Sequence, residues 1–266
     1  MRPPKGAAAG LAAAAAISLS LSACVQTRQF ADVQFAPPSG DYKLLVMRPD
    51  ITVSKVTTGG IAEPRADWTE ASRRYVIQAI RAQQSETGGE VLVADSFDDV
   101  PNFPTDKVIE LDRLHSAVGS MIVTHRYRND RLPTKKGQGL DWTLGDQAVA
   151  MGKATGYDYA LFLHAQDSFA SDGRKALQVL GILGCVVGFC APNIGGGGQF
   201  AYASLVDLRS GDVVWFNMLQ AGTQFAGVNM GDIRSPAGAE QMVERLLGKM
   251  KPGKAVRQQM KAEAAS

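Results

Sequence analysis

The sequence predicts an α/β (α+β) fold: one mixed β-sheet flanked by helices, in the order β-α-β-α-α-β-β-β-α, with an apolar Gly-rich insertion before the final hairpin. Three observations carry this. Short β-rich runs are interleaved with stripes of apolar residues at helical spacing over much of the chain. Near the end, two β-rich runs flank the turn Arg209-Ser210-Gly211-Asp212. A hydrophobic content of 45% against 20% charged residues is that of a folded domain.

The chain opens on the cationic Met1-Arg2-Pro3-Pro4-Lys5, followed by an apolar run from Ala7 to Leu21 broken by Gly10, Ser18 and Ser20. A positive start and an apolar centre of roughly 7–15 residues form a secretory signal, and the run is shorter than the roughly 20 residues a spanning helix needs. An ordinary cleavage site places small residues at −3 and −1, whereas the −3 position here is Leu21. Leu21-Ser22-Ala23-Cys24 instead resembles the lipobox of bacterial lipoproteins. That resemblance implies that residues 1–23 are removed and that the Cys24 thiol carries a diacylglyceryl group. Each buried CH₂ contributes about 0.8 kcal/mol, and two or more chains hold stably where one holds marginally. Val25 and Gln26 follow, with no Asp at the second position; this resembles the outer-membrane default of enteric bacteria. Residues 24–41 read as a lipid-anchored tether ending in turn formers, with a coil span of about 20–25 Å.

A single domain is expected over residues 42–250. Lys43–Met47 is a strand stopped by Pro49. Asp67-Trp68-Thr69-Glu70 has the form of a capping box, opening a helix that places Trp68, Ser72, Tyr75, Val76, Ala79, Ile80 and Gln83 on one stripe and ends before Gly88-Gly89. Val91–Ala94 is a second strand. Pro104-Thr105-Asp106 starts a helix with Val108, Leu111, His115, Val118, Ile122 and His125 at three-to-four spacing. A third helix runs from about Thr143 to Ala154 and is ended by Gly156, and the strand Tyr157–Ala165 follows directly. Gln199–Leu208 and Val213–Leu219 make the hairpin, Pro236–Met250 a closing helix, and residues 251–266 a frayed tail.

The insertion, residues 177–198, begins with the uncharged run Leu177–Ala191 and ends in Gly195-Gly196-Gly197-Gly198. As a helix these 15 uncharged residues reach about 22 Å, short of a bilayer core. Two readings stand: a segment buried against the sheet, or an apolar element that meets a membrane or another subunit. Cys185 and Cys190 lie within it. A turn between them allows a disulfide in an oxidising compartment, whereas a continuous helix sets them roughly 140° apart and prevents one.

The sequence carries no catalytic signature. His115, His125 and His164 have no metal-ligand spacing, and Gly-x-Ser-x-Gly is absent. Gly195–Gly198 lacks the Lys-Ser/Thr of a phosphate loop, and Asp95, Asp98 and Asp99 are too few and irregular for a calcium loop. The histidines are expected at the core edge or the surface, the three aspartates at a solvated strand end. Trp68, Trp142 and Trp215 fit core or hairpin packing. Without Arg2 and Lys5 the mature chain carries 26 basic and 26 acidic side chains, which argues against nucleic-acid binding. No enzyme activity is expected, and no cofactor or metal beyond the covalent lipid on Cys24.

The lipobox, the tether and the element order, with Gly156-Tyr157-Asp158-Tyr159-Ala160-Leu161 and Leu205-Val206-Asp207-Leu208-Arg209-Ser210-Gly211-Asp212-Val213-Val214-Trp215 as the carrying residues, resemble periplasmic lipoprotein domains related to the amino-terminal domain of TolB. That group includes the curli-secretion channel lipoprotein and the lipoprotein activators of penicillin-binding proteins. The resemblance implies an outer-membrane lipoprotein whose domain faces the periplasm and binds an envelope partner or forms a homo-oligomer. The alternatives are an oligomeric secretion or channel component and, with less support, an envelope hydrolase.

Overall fold

The computed structural model of the chain describes residues 26–31, 42–84, 90–127, 132–135, 139–186, 197–222 and 231–250. Its centre is an eight-stranded mixed sheet, as the α/β expectation requires, with strands in the order β1-β8-β7-β6-β2-β5. In chain order the strands are β1 (Gln26–Ala31), β2 (Lys43–Val46), β3 (Asp50–Val56), β4 (Ala62–Pro64), β5 (Glu90–Val93), β6 (Tyr159–Ala170), β7 (Gly198–Asp207) and β8 (Val213–Gly222). The helices are α1 (Ala66–Gln84), α2 (Thr105–Tyr127), α3 (Gly145–Thr155), α4 (Asp172–Val186) and α5 (Pro236–Leu247).

The long strand β6 organises the sheet. Along one edge its first part pairs in parallel with β2 (Leu44 opposite Tyr159) and its second part with β3 (Asp50 opposite His164). Pro49 ends β2, and the chain resumes one step along the same neighbour; β2 also pairs in parallel with β5, and β3 antiparallel with β4. Along its other edge β6 opens an antiparallel meander through β7, β8 and β1. Two cores follow from the period-two alternation of side chains. Leu161, Leu163 and Ala165 face α1 and α5, where Val76, Ile80, Met242, Val243 and Leu246 pack on them. Ala160 and Phe162 face the opposite way, towards Val108, Leu111 and Ile122 of α2 and Ala148 and Met151 of α3.

Several local expectations change. Residues 26–31, inside the stretch expected as a tether, pair with β8 as an edge strand. Strands β3 and β4 follow Pro49, where no strand was expected, although Ile51, Val53 and Val56 are buried along β3. Asp67 does not form the capping box: Thr69 N–H donates to the Arg65 carbonyl, so α1 starts earlier, and the Arg65 guanidinium holds the Asp67 carboxylate (3.0 and 2.9 Å). Gly156 ends α3 as expected, at φ +75° with its N–H on the Gly152 carbonyl. The insertion begins as helix α4. The expected leader (residues 1–23), Cys24 and the expected tail (residues 251–266) lie outside the described residues.

Candidate functional site

Of the residues singled out in the sequence, Cys24 and Cys190 lie outside the described residues, and Cys185 falls within the backbone span of α4. The histidines are more informative. His115 and His125 are both buried, at 3% and 6% exposure, so helical periodicity placed them correctly on the packed stripe but the core-edge or surface expectation understated their burial. His115 stacks on Phe162 (centroids 4.3 Å apart, 17° between planes), and its Nε2 lies 2.5 Å from Ser204 Oγ. Burial pushes its pKa down to about 3, so the ring is neutral at neutral pH.

A second layer of polar groups surrounds this contact. His164 Nδ1 lies 2.8 Å from Asp50 Oδ2, and since a carboxylate only accepts, Nδ1 carries the proton. Ser116 Oγ donates to the same oxygen at 3.4 Å. These bonds, that from His164 foremost, hold Asp50 below the ordinary carboxylate range. Asp112, one helical turn before Ser116, is pushed up to about 6, mainly by burial and then by the Asp50 charge. Tyr202 stacks on His164 (4.9 Å, 24°), and its hydroxyl donates to the Ser116 carbonyl at 3.3 Å. A Cβ on Gly119 would sit 2.4 Å from the Tyr202 ring; the bare glycine lets α2 settle onto that aromatic face. Among the described residues no group of three His, Cys, Asp or Glu side chains is arranged to hold a metal ion. Chemically the cluster is a titratable clamp between α2 and the sheet.

On the other face lies a cation–aromatic stack. The Arg234 guanidinium sits 3.6 Å over Phe169 and 4.5 Å over Trp68, with Arg65 at 4.8 Å from the Trp68 ring. Asp232 holds Arg234 through two bonds of 2.8 and 2.7 Å. Behind them Asp167 is buried (4% exposed) and accepts from Gln199 Nε2 at 2.6 Å; burial first of all pushes its pKa to about 7. This stack joins β6, the start of α1 and the turn before α5. Asp99 explains the acidic turn found in the sequence: its Oδ2 accepts from the Asp95 and Ser96 amides, both at 2.8 Å.

The third feature is apolar. On α4, Leu177, Val179 and Leu180 are 36%, 55% and 63% exposed, and Ile61 in the β3–β4 hairpin is 67% exposed. Of the two readings of the insertion, burial against the sheet therefore fails for Leu177, Val179 and Leu180. Among the described residues no helix is long and apolar enough to cross a membrane.

No family model matches the chain, and no curated protein matches it. Solved structures similar to it include the PelC dodecamer from Paraburkholderia phytofirmans, at 11% identity and a TM-score of 0.36, over 84% of this chain and 96% of that one. The C-terminal domain of LpoB from Salmonella enterica aligns at 13% identity and a TM-score of 0.25, over 71% and 88% of the two chains. Lipoprotein GNA1162 from Neisseria meningitidis aligns at 13% and 0.29, over 80% and 98%. Likenesses this loose carry no argument about role.

Proposed function

We propose that the chain is a lipid-anchored protein of the bacterial outer membrane, without catalytic activity, whose α/β domain stands in the periplasm and binds another envelope component or assembles with itself. The observation that carries this reading is Leu21-Ser22-Ala23-Cys24 directly after a cationic and then apolar leader. Acyl chains on Cys24 hold the domain at a bilayer without a spanning segment. The uncovered apolar side chains of α4 support a role in contact, since large exposed apolar patches mark interaction surfaces. The polar clusters support a structural role in preference to chemistry: His115 is bonded to Ser204 and Asp50 to His164, each joining a helix or strand to its neighbour.

Metabolic labelling tests the anchor. Cells fed radiolabelled palmitate are expected to label the wild-type protein and not Cys24→Ser, and the variant should move from the membrane to the soluble fraction. A wild-type protein that takes up no label ends this reading.

A further inference from the structure

Helix α4 opens on the charged Asp172, Arg174 and Lys175 and then carries apolar side chains that are not buried. Its first turn seats on the β3–β4 hairpin: a Cβ on Gly173 would come within 2.6 Å of Thr58 Oγ1, and Arg174 Nη1 donates to the Thr58 carbonyl at 3.4 Å. Beyond that turn Leu177 and Leu180 lie on one side, with Val179 roughly 200° around the axis from Leu177, so the exposure is not confined to a single face. Apolar side chains uncovered on opposite sides of a helix, with the half-buried Gln178 between them, need a core or a bilayer around them.

The register of the edge strand indicates which. Gln26 stands opposite Gln220, Gln220 opposite Phe200, Phe200 opposite Gln166, and Gln166 opposite Thr52. From Gln26, β1 runs towards Ala31, which pairs with Trp215 at the far end of β8. The chain therefore enters the sheet at the end where β6 finishes, β8 finishes and α4 begins. Covalent geometry keeps Cys24 within about 7 Å of Gln26, and three strand spacings, about 14 Å, separate β1 from β6. Acyl chains and the uncovered Leu177, Val179 and Leu180 of α4 thus emerge from one end of one sheet.

We infer that this end of the sheet faces the phospholipid bilayer and that α4 dips into it, with Leu177, Val179, Leu180 and Ile61 against the acyl region. The inference rests on Cys24 being acylated. The helix adds apolar contact to the lipid anchor and gives the domain a second point of attachment, which fixes its orientation.

The test uses the chain from residue 24 onward as Cys24→Ser, which carries no lipid, mixed with vesicles of phosphatidylethanolamine and phosphatidylglycerol. It is expected to sediment with them, and Leu177→Gln, Val179→Gln and Leu180→Gln together should weaken partitioning by about tenfold or more. Their side chains are uncovered, so the far-ultraviolet spectrum and melting temperature should not change. In a separate variant, Leu180→Trp, brominated lipid should quench emission beyond that of the parent chain. Failure to sediment, or sedimentation unaffected by the glutamines, overturns the inference; so does a dimer that the glutamines convert to monomer, which would make a second copy the occupant. Palmitate labelling of the wild type reads the anchor separately: label without vesicle binding removes only the inference, and vesicle binding lost with the glutamines but without label keeps the membrane contact of α4 and removes the anchor beside it.

Discussion

Asp50 and Asp112 show how two carboxylates near one another come to differ. His164 and Ser116 hydrogen-bond to Asp50 and favour its charge, while burial and the Asp50 charge disfavour ionisation of Asp112. The consequences for stability have opposite signs. Asp112 has a folded pKa of about 6 against an ordinary 3.8, so its contribution is fully present below its ordinary pKa and is lost as pH rises through the folded value. Asp112→Asn should therefore stabilise the domain at pH 8 by on the order of 1 kcal/mol, discounted for partial exposure. That gain should fade to nothing towards pH 4, read by urea unfolding across the range. Asp167, also raised, is common to both proteins and cancels in the difference. Asp50 is lowered, so its contribution holds above the ordinary carboxylate pKa and is lost as pH falls through the folded one. His164→Ala should cost about 1–2 kcal/mol at pH 7, and less in acid, by the same measurement.

Helix placement depends on small features at the ends and along the faces. Gly119 faces the Tyr202 ring so closely that a methyl group has no room; Gly119→Ala should destabilise by about 1–3 kcal/mol through a forced shift of α2. Ser235 caps α5, accepting from Gly238 N–H at 3.2 Å with Pro236 behind it. Ser235→Ala should cost about 1 kcal/mol; a loss much smaller, seen in the unfolding midpoint, would mean that the cap is solvated. Helix stripes, the Gly156 stop and the hairpin at Gly211 were legible because each depends on residues a few positions apart. The Asp67 capping box was misread because Arg65, also nearby, takes the Asp67 carboxylate, and Thr69 Oγ1 accepts from Val53 N–H on β3 (3.0 Å). Strand β3 carries a readable alternation, which Pro49 obscured by marking the end of β2.

Across the whole molecule, β6 serves two neighbours on one edge and begins the antiparallel meander on the other. Both cores therefore depend on a single strand whose odd and even residues face different helix pairs. The largest difference from expectation is β1, which makes residues 26–31 part of the sheet. Its backbone pairs with β8, so native-state hydrogen exchange should show alternate amides of Gln26–Ala31 protected. Exchange of all of them at unstructured rates would return these residues to the tether and remove the geometric link between Cys24 and α4.

By itself the sequence determined the α/β class, most helices and the final hairpin, and it carries the Leu21-Ser22-Ala23-Cys24 motif on which the proposed anchor rests, since these arise from composition, periodicity and contiguous residues. It also carried the absence of charge in residues 177–191, which makes the exposure of α4 meaningful. Tertiary structure alone decided that His164 meets Asp50, 114 positions away, that His115 meets Ser204, 89 away, and that Gln26 enters the sheet where α4 leaves it. Strand register sets those meetings, and register is the summed outcome of packing on both faces, which no local window of residues contains.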